Sequence, residues 1–229
     1  MNQNKIIGLT GSISTGKTQV SNFLRDKGEK VIDADLIARE VVDIENVKEK
    51  IKKAFGENIY VDDKLDRSGL AEIVFRDEEK RQILNEIEHP EIYRIILEEV
   101  KKSKGRVFVD IPLLFESEEL NKKYGLVFDE VWLVYVNREK QIERLAKRDG
   151  ISKDYALEKI NSQLSVEDKK KLSDVIIDNS GTLEDTFRQV EENLKRLWKK
   201  MCWQGGWHIF LILENIKLDI KKTDCKCNQ

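Results

Sequence analysis

The stretch Gly11-Ser12-Ile13-Ser14-Thr15-Gly16-Lys17-Thr18 constrains this chain more than any other, because it matches G-x-x-x-x-G-K-S/T in full. Its surroundings suit the pattern. Lys5 to Thr10 is a short β-branched run, and Lys17 to Lys27 has helical spacing closed by Gly28. A strand that bends through such a loop into a helix turns successive backbone N–H groups inward. The positive end of the helix dipole adds to them, so the bend receives phosphate. Gly11 and Gly16 allow the tight turns, Lys17 would neutralise β- and γ-phosphate charge, and the Thr18 hydroxyl would ligate Mg²⁺. The bland alternative is an accidental glycine-rich turn, and the strand-loop-helix placement speaks against it.

The remaining pattern supplies a sheet for this loop. Lys30 to Asp33 reads as a second strand, and Leu36 to Val42 as the start of a helix. Val107 to Ile111 and Val131 to Val136 are continuous apolar runs of the kind buried in parallel sheets, and Val175 to Ile177 is a short last strand. A long amphipathic helix follows from Leu183 to Lys200, with Phe187, Val190, Leu194 and Leu197 on one face. The order predicts an α/β fold, a doubly wound five-stranded parallel sheet. Two charged helical stretches, about 45–103 and 138–172, are placed as an acceptor-binding insertion and a lid. Residues 61–69 look turn-like, and Pro90 marks a helix boundary or kink.

A chain of 229 residues, 40% of them apolar, suits one such domain over residues 1–200 with inserted subdomains. Its 41 basic and 43 acidic residues nearly cancel, so nothing in the overall balance argues for nucleic acid or an anionic membrane as the main partner, and neither is expected. The N-terminus enters a strand almost at once, without a signal-peptide pattern, and the apolar run Trp207 to Leu213 is too short to span a bilayer. The three cysteines, Cys202, Cys225 and Cys227, all lie near the C-terminus, so the body depends on no disulfide and a cytoplasmic location is expected. Residues 201–229 shift in composition. They read as a dimerising strand, as a metal site from Cys225, Cys227 and His208, or as an added segment with no selected role. The ligand set is one short of a closed zinc site, which favours the last reading.

A phosphate loop specifies a nucleotide but not a reaction. A GTPase switch would also need N-K-x-D, and the nearest approach, Asn121-Lys122-Lys123-Tyr124, lacks the aspartate. Asp33 and Asp35 follow the second strand at the sheet edge where open α/β sheets bind ligands. A kinase acting on a hydroxyl needs a carboxylate there to take or orient the proton, and Asp33 can serve, with Asp35 in support. An aspartate before a helix is equally an N-cap, and for Asp35 that reading stands beside the functional one. Asp110, at the end of a buried strand, looks like a metal-side carboxylate or else a turn residue.

Several separated motifs resemble the dephospho-CoA kinase family. They are G-L-T-G-S-I-S-T-G-K-T (8–18), V-I-D-A-D (31–35), L-D-R (65–67), H-P (89–90), V-D-I-P-L-L-F-E (109–116), R-L-A-K-R-D-G (144–150) and V-I-I-D-N-S-G (175–181). The resemblance covers about Lys5 to Lys200 and implies ATP-dependent phosphorylation of the 3′-hydroxyl of the ribose of dephospho-CoA, with Mg²⁺, to give coenzyme A. By resemblance, residues 11–18 hold the ATP phosphates and Asp33 is the general base. Arg67, His89, Leu113, Leu114, Phe115 and Glu116 then line the acceptor side. Arg144 and Arg148 come from the lid, where a planar guanidinium can stabilise equatorial oxygens of the transferring group. Asn179 and Gly181 lie beside the adenine. The residue-level alternatives are a solvated helix face for the two arginines and a packing role for His89. Ser12 and Ser14 replace glycines common in the family, which asks unusual dihedrals of serine, and Lys159 stands where the family's lid often has Arg.

Overall fold

The computed structural model describes residues 4–204, the last six by backbone alone, so the readings placed on the tail beyond Gln204 fall outside the described residues. Five strands form one parallel sheet: β1 (Lys5–Thr10), β2 (Lys30–Asp33), β5 (Arg106–Asp110), β6 (Glu130–Tyr135) and β7 (Val175–Asp178), in the order β2-β5-β1-β6-β7. A small antiparallel hairpin, β3 (Tyr60–Val61) and β4 (Lys64–Leu65), stands apart from it. Asp62 and Asp63 turn that hairpin with φ of 47° and 65°, within the stretch the sequence marks only as a turn.

Alternation along the strands sends side chains to two cores. Val107 and Val109 of β5 face one cluster and Phe108 the other, which also takes Ile7 and Leu9 of β1 and Trp132 and Val134 of β6. The first cluster is covered by α2 (Ala34–Val41), α3 (Glu45–Phe55), α4 (Arg67–Arg76) and α5 (Glu78–Lys102). The second is covered by α1 (Lys17–Asp26) and α10 (Leu183–Gln204), through Val20, Leu24, Val190, Leu194 and Leu197. Apolar surface on both faces keeps these strands from alternating with polar residues, which is why they read as unbroken apolar runs.

Three features refine the sequence expectation. Pro90 does not end a helix; it lies inside α5, which continues to Lys102. The segment 138–172 folds as three helices, α7 (Arg138–Asp149), α8 (Lys153–Asn161) and α9 (Val166–Leu172), after α6 (Glu118–Tyr124). Gly150 ends α7 in the left-handed region, and Ser152 and Ser165 cap the two helices that follow. Finally, Leu114 belongs to the core. A Cβ on Gly8 would fall 2.5 Å from the Leu114 Cδ1, so the glycine of the central strand admits that side chain beneath it.

Candidate active site

The loop from Gly11 to Gly16 leaves the end of β1 and enters α1 through Gly16, whose φ is 87°. No side chain caps α1; the Gln19 N–H donates to the Gly16 carbonyl at 3.0 Å, and those of Lys17 and Thr18 remain available to an anion. Gly16 has a second reason to lack a side chain: an added Cβ would lie 2.2 Å from the Asn179 Nδ2. Asn179 is buried and braces the loop, its carboxamide donating to the Thr15 carbonyl at 2.8 Å and accepting from the Thr186 hydroxyl at 2.8 Å. Ser14 adopts φ of 60°, the unusual dihedral anticipated for it from the sequence, and Ser12 does not share it. The hydroxyls of both serines are buried with no hydrogen-bond partner among the described residues.

The loop forms one wall of a cavity of about 690 Å³. Asp35, Pro112, Arg144, Arg148, Gln163 and Gly181 complete much of its lining. Beneath the loop, Lys17 pairs with Asp110, and the Ser21 hydroxyl donates to the other Asp110 oxygen. Ser21 lies one turn after Lys17 on the same helix face, a spacing visible in the sequence but without a motif to single it out.

The two aspartates after β2 have different surroundings. Asp33 caps α2, accepting from the Leu36 N–H at 3.1 Å, and its other oxygen lies 3.4 Å from Arg25. The cap weighed in sequence for Asp35 therefore falls to Asp33, because the strand ends there and the helix begins at Ala34. Asp35 lies in the first turn and lines the cavity. Burial raises its pKa most; the Lys17 charge opposes, and Asp33 and Asp110 add to the rise.

On the opposite side, Arg144 lines the cavity and donates to the Asn179 carbonyl at 3.0 Å. Arg148 lines it too, with its Nε held 2.7 Å from the Asp149 carboxylate. Arg144 is thus tied to the exit of β7, whereas the Arg148 side chain remains mostly exposed on its helix. Gln163 reaches the loop itself, its side-chain oxygen accepting from the Ile13 N–H at 3.1 Å, while the Gln141 amide donates to the Ile13 carbonyl at 2.7 Å.

The residues expected on the acceptor side are not drawn into this cavity. Arg67 donates to the Arg39 carbonyl at 2.6 Å and lies 3.8 Å from Asp43. His89 sits within α5, where burial and the nearby Lys123 charge lower its pKa. Leu113 is exposed, Leu114 and Phe115 pack on the core, and Glu116 turns toward α9, so that segment does not act as one surface. Local sequence carries no information about which of four consecutive residues faces inward after a strand ends.

Backbone donors at a helix start, a lysine and two arginines line one cavity. With a carboxylate set among them at the carboxyl edge of a parallel sheet, they define a P-loop kinase. The model of the dephospho-CoA kinase family matches residues 5–185, and the chain belongs to that family. A dephospho-CoA kinase from Carboxydothermus hydrogenoformans is 43% identical over 204 residues, spanning 86% of this chain and 96% of its own. One from Oryza sativa subsp. japonica is 39% identical, spanning 87% of each chain. The solved dephospho-CoA kinase from Campylobacter jejuni superposes with a TM-score of 0.59 at 29% identity, covering 85% of this chain and 98% of its own. A solved Thermus thermophilus protein gives a TM-score of 0.71 at 34% identity, with the same two coverages of 85% and 98%.

Proposed function

We propose that this chain transfers the γ-phosphoryl group of ATP to the 3′-hydroxyl of the ribose of dephospho-CoA, giving coenzyme A. The observation that carries it is the family match across residues 5–185, which includes every residue that lines the cavity. In this reading the N–H groups of the loop and of the start of α1 hold the β- and γ-phosphates, with Lys17 alongside them. Arg144 and Arg148 stabilise charge on the transferring group. Asp35 takes the acceptor proton, since it lines the cavity while the Asp33 carboxylate is engaged as a helix cap and with Arg25. This moves the base from the aspartate favoured by the sequence resemblance to the one two residues on.

The Thr18 hydroxyl and the Asp110 carboxylate offer hard oxygen donors beside the loop, which fits Mg²⁺, an ion that keeps several waters and shares its sites with substrate phosphates. Bound there, Mg²⁺ would neutralise phosphate charge. Helices α2 to α5 would then carry the acceptor-binding insertion and α7 to α9 the lid. Among the described residues no helix is long and apolar enough to cross a membrane, and we place the enzyme in the cytoplasm. The test is direct incubation with ATP, Mg²⁺ and dephospho-CoA, with other nucleosides and nucleotides as competing acceptors. Stoichiometric ADP and coenzyme A are expected. Turnover confined to another acceptor, or none at all, overturns the reading.

A further inference from the structure

Lys169 of α9 is fully buried, and a lysine in that position is costly unless its ammonium is paired. Its Nζ lies 2.9 Å from the Glu116 carboxylate and donates to the Pro112 carbonyl at 3.3 Å. One ammonium thus ties both ends of the short segment that follows β5. The Thr10 hydroxyl, at the end of β1, donates to the same Pro112 carbonyl at 3.1 Å. Glu116 has a second partner, the Leu164 N–H at 3.0 Å. Leu164 follows Gln163, whose side chain accepts from Ile13 in the phosphate loop. The connections therefore close a ring through the phosphate loop, the segment between α8 and α9, the segment after β5 and the end of β1. Two of its members, Pro112 and Gln163, line the cavity on different walls.

We propose that Lys169 and Glu116 form a positioning clamp for phosphoryl transfer, fixing the Pro112 wall against the Gln163 wall. Neither residue lines the cavity, so each acts through another. An apolar side chain of similar length would fill the space of Lys169 as well, but could not hold Pro112, Glu116 and α9 in one register. Because transfer depends on donor and acceptor being held in line, loosening one wall against the other lowers turnover more than nucleotide affinity, which rests on the loop itself.

The clamp rests on the kinase reading above, and coenzyme A formation by the unaltered enzyme tests that reading separately. Glu116→Gln keeps the volume and an oxygen for the Leu164 N–H but removes the charge, and Glu116 is partly exposed, so this variant is expected to fold. Its kcat should fall about 10- to 100-fold, while the Kd for a fluorescent ATP analogue stays within about twofold. Lys169→Met should show a similar loss. The double variant should lose much less than the product of the single losses. A role in stability alone would lower the melting temperature and leave kcat per folded enzyme unchanged. That result, or independent losses that multiply in the double variant, overturns the proposal.

Discussion

Lys17 and Asp110 pair between the start of α1 and the end of β5, so the lysine assigned to the phosphates has an anionic partner within the chain itself. Binding a triphosphate must compete with that pair. Asp110→Asn is expected to tighten nucleotide binding measured without divalent cation by severalfold, on the order of 1 kcal/mol, because a competing charge is gone. The same substitution should lower Mg²⁺-dependent turnover at least about 100-fold, since a carboxylate on the metal side is removed. Calorimetry with and without Mg²⁺, beside initial rates, checks both halves.

The two aspartates after β2 separate by mutation. Asp35→Asn should lower kcat by about 10²- to 10⁴-fold, the usual size of a general-base contribution. Asp33→Asn should keep most activity, because asparagine caps a helix nearly as well as aspartate. The opposite pattern would return the base to Asp33.

A base must be ionised to act, and burial raises the Asp35 pKa, with Asp33 and Asp110 adding. The acid limb of the kcat/KM profile should therefore be displaced toward higher pH than an unperturbed aspartate would give. Removing a like charge through Asp33→Asn should move that limb to lower pH. A limb that stays in place would separate it from Asp35.

At Ser14 the left-handed backbone and the unpartnered buried hydroxyl are both unfavourable. Ser14→Gly removes both at the cost of chain entropy, and should raise stability by about 0.5–1 kcal/mol. ATP affinity should stay within about threefold, because the backbone donors are unchanged. Thermal melts and nucleotide titration measure the two effects.

Burial pushes the Glu88 carboxyl up to about 7, with the Arg67 charge opposing. The native chain then holds a proton that the unfolded chain has released, so stability falls as pH rises from about 4.5 to about 7. Glu88→Gln should remove that part of the slope and stabilise the protein at pH 8, on the order of 1–3 kcal/mol. Denaturant melts at pH 5 and pH 8 show whether the gain is confined to the higher pH.

The central strands β5, β1 and β6 were legible because they are buried on both faces, which writes an unbroken apolar run such as Val131 to Val136. The phosphate loop was legible because its chemistry resides in backbone geometry that few residue types allow. The Tyr60–Val61 and Lys64–Leu65 hairpin was not, since two-residue strands leave no periodicity to read. Lys169 was hidden for a different reason. In the run Lys169-Lys170-Lys171 nothing local distinguishes the fully buried lysine from its exposed neighbours.

The sequence by itself determined the sheet, the phosphate loop and the family, because these rest on local backbone requirements and on apolar patterning. Only the tertiary structure decided which aspartate faces the cavity, that Asn179 braces the loop, and that Glu116 joins Lys169. Each of those outcomes depends on partners more than 40 residues away in the chain or on where a helix begins, and side-chain direction at a strand exit is set by what packs there.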